Sequence, residues 1–161
     1  MGWSRHEKTT LAMVAYRDLM EAADMMFRQL DHVLTPLGLT TAQYRTLEAL
    51  FFRGPMNQTE LSRLTFSSGS TVSVTVSTLA KGRLVTRRPD AGNRNQNVVA
   101  ITRDGKRVLA RVLPHVTKLV RALMAALGKR EQKALARMCQ KLAAGDDVKT
   151  LRELLATMRG K

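Results

Sequence analysis

The sequence predicts a mainly α chain with a small β-hairpin wing: a winged helix-turn-helix with long helices at both ends. Three observations predict it. Apolar residues recur at steps of three and four through most of the chain, the period of a helix with one buried face. Two capping-box signatures, Thr-x-x-Gln from Thr40 and Asn-x-x-Glu from Asn57, start two short helices in close succession. Two β-rich runs flank a stretch of turn formers, the pattern of a hairpin.

The first helix is expected over residues 9–34, where Leu11, Ala15, Leu19, Ala22, Met26, Leu30 and Val33 keep the helical step. Pro36 and Gly38 break it. The Thr40 box opens a short second helix through Tyr44, Leu47 and Leu50, which Gly54-Pro55 ends. The Asn57 box opens a third, with Leu61 and Leu64 behind it. The run SSGSTVSVTVSTL that follows is ambiguous by itself. Its Val and Thr alternate as in a strand, yet Val72, Val76 and Leu79 also fall on one helical face. Context favours the helix: two short capped helices precede it, and Leu79-Ala80-Lys81-Gly82 resembles a helix exit with a glycine stop. A recognition helix needs one apolar face for docking and an opposite face without large apolar groups, and a helix over 69–81 supplies both.

Strands are expected at 84–88 and 97–102, joined by a polar tip carrying Arg94. Helical spacing returns over 103–127, with a bend expected at Pro114 and a stop at Gly128. Further helices are expected over about 130–143 and, capped by Asp146 or Asp147, through Met158. The organisation expected is an N-terminal helix in 1–36, a DNA-binding lobe in 37–102 and C-terminal helices in 103–161.

The formal charge is +14, which favours a polyanionic partner, nucleic acid before membrane. Residues 1–62 carry net −1, residues 63–102 net +5 and residues 103–161 net +10, so the chain turns positive where the Ser/Thr/Val run begins. A solvated surface accounts equally well for the charge of the last segment. No apolar run approaches the roughly 20 residues that span a bilayer, the N-terminus has no apolar leader, and the one cysteine, Cys139, cannot form an internal disulfide. A cytoplasmic protein without a membrane partner is expected. The chain has no paired carboxylates, no nucleophile with a base and no glycine-rich phosphate loop, and His6, His32 and His115 lack ligand spacing. Neither an enzyme nor a cofactor is expected. Aromatics make up only 4%, which argues against RNA binding by stacking.

In their order and spacing, LGLTTAQYRTLEAL, GPMNQTELSRL, the Ser/Thr/Val helix and LVTRRPD…NRNQNVVAITRDGKRVL resemble the MarR/SlyA family of bacterial transcription regulators, over about residues 12–143. The resemblance implies a homodimer joined through its terminal helices, bound to a pseudo-palindromic double-stranded operator. It implies a repressor released by a small, often aromatic, effector. Three positions depart from the family pattern. The wing's Asp-x-Arg is replaced by Asn93 and Asn95, with Arg94 between them; Gly82 stands one place early; and Val74 stands where a large polar residue is common.

The groove-facing candidates are Ser70, Thr71, Ser73, Val74, Ser77 and Thr78, whose hydroxyls and methyls suit base edges and phosphates. Ser67 and Ser68 would meet phosphate at the helix N-terminus. Arg63, Arg87 and Arg88 would bind phosphate, and Arg94 the minor groove. The resemblance places an effector pocket near His32, Tyr44 and Arg45. Met20, Met25 and Met26 are assigned to core or dimer interface, and Cys139 to a quiet, partly buried thiol. A non-specific or architectural nucleic-acid-binding protein is the alternative that the charge and the altered wing leave open. The helical reading of the ambiguous run has a direct test. Val72→Asp would bury an unpaired charge and is expected to abolish cooperative thermal unfolding; a normal melting curve would refute the assigned face.

Overall fold

The computed structural model describes residues 10–65, 67–89 and 97–144. Helix α1 (Leu11–Leu34) runs from a Thr10 cap into a 3-10 turn at Thr35–Leu37. Helix α2 (Thr41–Arg53) starts with the complete capping box: Gln43 N–H donates to the Thr40 hydroxyl, and Thr40 N–H to the Gln43 amide oxygen. Strand β1 (Met56–Asn57) leads directly into α3 (Gln58–Thr65). There Asn57 and Glu60 exchange the same reciprocal bonds, at 2.9 and 3.0 Å.

Helix α4 (Gly69–Lys81) occupies the ambiguous run. Ser68 caps it, accepting from Thr71 N–H. Val72, Val76 and Leu79 are fully buried, as the helical period requires, and Thr75 joins them. They pack with Leu34, Leu39, Tyr44, Leu47, Leu50 and Leu61 into one aliphatic core. Strands β2 (Val85–Pro89) and β3 (Asn97–Ile101) form the hairpin, one residue displaced from expectation at its first strand. The sheet is antiparallel in the order β1-β3-β2, with Met56 opposite Val99 and Arg87 opposite Val99 on the other side. Strand β1 is not foreseen by the sequence, because two residues are too few to carry a period.

Helix α5 (Arg103–Met124) contains Pro114 and sends Leu109, Val112 and Val116 into the core. It ends at Met124, three residues short of the expected end at 127. Its start is locked to the hairpin by Thr102. The Thr102 hydroxyl donates toward the carbonyls of Arg83 and Leu84, at 2.8 and 3.1 Å, and accepts from Gly105 N–H. Gly105 is required here, since an added Cβ would lie 2.2 Å from the Leu84 carbonyl oxygen. Helix α6 (Lys129–Ala144) belongs to a second compact unit that begins at Arg121. The helix expected through Met158 lies outside the described residues. No helix among the described residues is long and apolar enough to cross a membrane.

The exit of α4 differs from expectation. Leu84 N–H bonds the Leu79 carbonyl and Arg83 N–H the Ala80 carbonyl, the paired bonds of a Schellman motif. The left-handed residue of that motif is Arg83, at φ 59°, whereas Gly82 sits at φ −76°, where any residue fits. The glycine one place early thus leaves a side chain in the conformation that glycine favours. Arg83→Gly is expected to stabilise the lobe by about 1 kcal/mol, raising the thermal midpoint by a few degrees. An unchanged or lower midpoint would mean that the arginine side chain makes an interaction that outweighs the strain.

Candidate nucleic-acid interface

The face of α4 opposite its buried stripe is small and polar. Ser70, Thr71, Ser73, Val74 and Thr78 are exposed and Ser77 is half-buried. Val74 is 68% exposed, against 1% for Val72 two residues earlier. At the N-terminus the hydroxyls of Ser70 and Thr71 each lie 2.8 Å from that of Ser68, so three hydroxyls gather where the helix dipole is positive. Ser67 is half-buried, and its hydroxyl donates to the Thr65 carbonyl at 3.2 Å. The Thr78 hydroxyl is turned back onto the Val74 carbonyl, at 3.1 Å.

Three arginines flank this face. Arg63 is exposed in the last turn of α3. Arg87 and Arg88 are exposed on β2, and the strand's period of two sends them to opposite sides of the sheet. Arg87 shares the side of Val85 and Val99, and its guanidinium donates to the Ser73 carbonyl at 3.2 Å. That bond ties the wing to α4, a link the sequence does not reveal because the partner is a backbone atom 14 residues away. Arg94, with the neighbouring Asn93 and Asn95, lies outside the described residues.

Two clefts among the described residues touch the effector candidates, one lined by Arg45 and the other by His32. Tyr44 is buried in the core, and its hydroxyl donates to the Glu48 carboxylate. Burial, then that bond and the Glu48 charge, push the phenol's pKa up, so Tyr44 stays a neutral donor at physiological pH. Arg45 lies over the Phe27 ring at 5.5 Å, and burial lowers its pKa while the Glu48 charge opposes the shift. It lines an open cleft of about 280 Å³ with Glu48, Ala49, Phe52, Arg53 and Leu64. His32 lines another, of about 380 Å³, with Arg28, Asp31, Thr35 and Pro36. Met20 and Met25 are exposed and Met26 is half-buried. Cys139 is exposed, not partly buried as expected, because it lies on a helix with no buried residue.

A model of the MarR family matches residues 37–94, the segment that holds α2, α3, α4 and β2. The HTH-type transcriptional repressor NicR of Pseudomonas putida is 30% identical over 109 residues, 68% of this chain and 69% of that protein. The chain belongs to the MarR family of transcriptional regulators. Sco3205, a MarR family regulator of Streptomyces coelicolor solved in complex with DNA, is 26% identical. It superposes with a TM-score of 0.76 over 89% of this chain and 93% of its own. BpsR of Bordetella bronchiseptica, whose DNA binding is regulated by 6-hydroxynicotinic acid, is 20% identical, with a TM-score of 0.73 over 80% of this chain and 98% of its own. The chain thus has the winged helix-turn-helix fold of MarR family regulators.

Val74 supplies a test of the interface that folding does not confound. Because it is exposed, Val74→Asp is expected to melt within about 0.5 kcal/mol of the parent. The same change places an anion against phosphates and is expected to weaken binding to duplex from the protein's own upstream region at least tenfold. Unaltered binding would take Val74 out of the interface.

Proposed function

We propose that the protein is a dimeric, sequence-specific DNA-binding repressor, released from a pseudo-palindromic operator by a small aromatic ligand. The observation that carries this reading is the two-sidedness of α4. Its apolar stripe is consumed by the core, and its other face offers only small hydroxyls and methyls, flanked by Arg63, Arg87 and Arg88. Such a face enters a major groove without steric conflict, while the arginines meet phosphate on either side. Arg94 is assigned to the minor groove, and Ser67 and Ser68 to phosphate near the α4 N-terminus.

Exposed apolar side chains support the dimer. Leu11, Met13, Tyr16 and Met20 project from α1 and Met138 and Leu142 from α6, apolar side chains that a dimer would cover. Residues 1–36 and 103–161 are accordingly read as dimerisation helices around a lobe at 37–102. The two recognition helices of such a dimer would sit about 34 Å apart, in successive major grooves. The name of NicR supports repression, and the 6-hydroxynicotinic acid control of BpsR supports an aromatic effector. The organohalide-sensing regulator RdhR, solved with 2,4-dichlorophenol bound, supports it too. Of the two clefts, the one lined by Arg45, Phe52, Arg53 and Leu64 suits an anionic aromatic ring, with His32 and Tyr44 outside it. The protein would act in the cytoplasm.

The net charge of +14 favours one other reading, an architectural protein that grips any duplex. A salt-titrated shift assay with upstream duplex and random duplex of equal length separates the two. A site-specific regulator is expected to prefer the upstream duplex by roughly 10³ or more. Equal affinity would replace the repressor with the architectural reading.

A further inference from the structure

The three arginines that flank α4 are not equivalent. Arg63 lies on α3, and Arg88 lies on the side of the sheet opposite Val85 and Arg87. Among the described residues, only Arg87 sends a side-chain hydrogen bond from the wing to α4, from its guanidinium to the Ser73 carbonyl at 3.2 Å. Ser73 sits in the middle of the outer face. Ser70, Ser73 and Ser77 recur at steps of three and four and make one stripe there, beside the 68% exposed Val74.

Helix α4 does not need this bond. In an α-helix the carbonyl of Ser73 already accepts from the N–H of Ser77, so Arg87 occupies the second lone pair of a satisfied group. The bond also leaves the arginine's charge intact, because a carbonyl is neutral. The ion pairs among the described residues, Arg17–Asp18, Arg28–Asp24 and Arg107–Asp104, do not involve Arg87. A guanidinium carries five donors in a rigid planar fork. With one of them on Ser73, the exposed remainder and the full positive charge are left for a second, anionic acceptor.

We infer that Arg87 is a positioning residue for site selection, an inference that rests on the operator reading of α4. One guanidinium holds the Ser73 backbone and a DNA phosphate at once. A phosphate contact ordinarily carries no sequence information. Here the phosphate is fixed at the width of one guanidinium from the helix that reads the bases. The contact therefore sets the depth and register at which the Ser70, Ser73 and Ser77 stripe meets base edges. Arg63 and Arg88, which lack the tie to α4, contribute charge without register.

The test compares Arg87→Lys, Arg87→Gln and Arg88→Lys in the full chain, on upstream duplex and on random duplex across a salt series. Lysine keeps the charge on a flexible stem and loses the fork. Arg87→Lys is expected to keep its affinity for random duplex and its salt slope. Its preference for the upstream duplex is expected to fall about tenfold, the effect of one misplaced charge-assisted hydrogen bond. Arg87→Gln is expected to lose the same preference and to flatten the slope of log affinity against log salt by about 0.9, one phosphate. Arg88→Lys is expected to leave the preference unchanged. The exposed site predicts thermal midpoints within about 3 degrees of the parent for all three. An unchanged preference in Arg87→Lys, or an equal loss on both duplexes, overturns the inference and leaves Arg87 a simple charge. An unchanged slope in Arg87→Gln also overturns it, since Arg87 would then brace the wing without meeting phosphate. A parent protein that shows no preference for the upstream duplex overturns the proposed function itself.

Discussion

Helix α4 has little local reason to be a helix. Ser70 through Thr78 is an unbroken run of Ser, Thr and Val, preceded by Gly69, and such residues lose roughly 5 kcal/mol in sum relative to alanine. Burial of Val72, Val76 and Leu79 returns roughly 5–9 kcal/mol. The helix therefore exists because of what it packs on, and the remainder of the lobe provides that surface. Two capping boxes hold α2 and α3 at their starts, and Leu47, Leu50 and Leu61 present the apolar floor on which α4 rests. The poor propensity is a consequence of the outer face. On the proposed function that face enters a groove and must be small and polar, and the residues that satisfy it are the ones that favour strands or caps.

The same constraint organises the wing. Its register sets Val85 and Val99 inward, and this leaves Arg87 on the inner side, close enough to grip the Ser73 carbonyl. The strand thus fixes the distance between α4 and the hairpin with one charge-assisted bond. At the other end of the strand, Thr102 and Gly105 press α5 onto the Leu84 backbone. The hairpin is held at its base from both neighbouring helices.

Much of this was legible in the sequence because it rests on local rules. The Thr40 and Asn57 boxes name their own partners three residues on, and the bounds of α4 follow from Ser68 and the Leu79 exit. Strand β1 was not legible, since its pairing with β3 joins residues about 40 apart through two positions only. Nor was the left-handed Arg83. The sequence shows a glycine at the helix end, but the hydrogen-bond pairing decides which residue takes the positive φ. For the candidate site, identity of surface residues could be read from the period of α4. The Arg87–Ser73 bond depends on a tertiary distance that no spacing encodes.

The chemistry of α4 also bears on where affinity comes from. Hydroxyls and methyls define register on a duplex, but the phosphate contacts of lysine and arginine supply most of the binding free energy. The exposed face of α4 from Ser70 through Thr78 has no cation, and Val74 occupies a position where the family often has a large polar residue. The proposed interface of the lobe is left with Arg63, Arg87, Arg88 and Arg94. Residues 103–144, by contrast, hold eleven lysines and arginines against two acids. The proposed DNA-binding lobe at 37–102 holds eight lysines and arginines against three acids, so positive charge lies on both sides of this division and is denser after it.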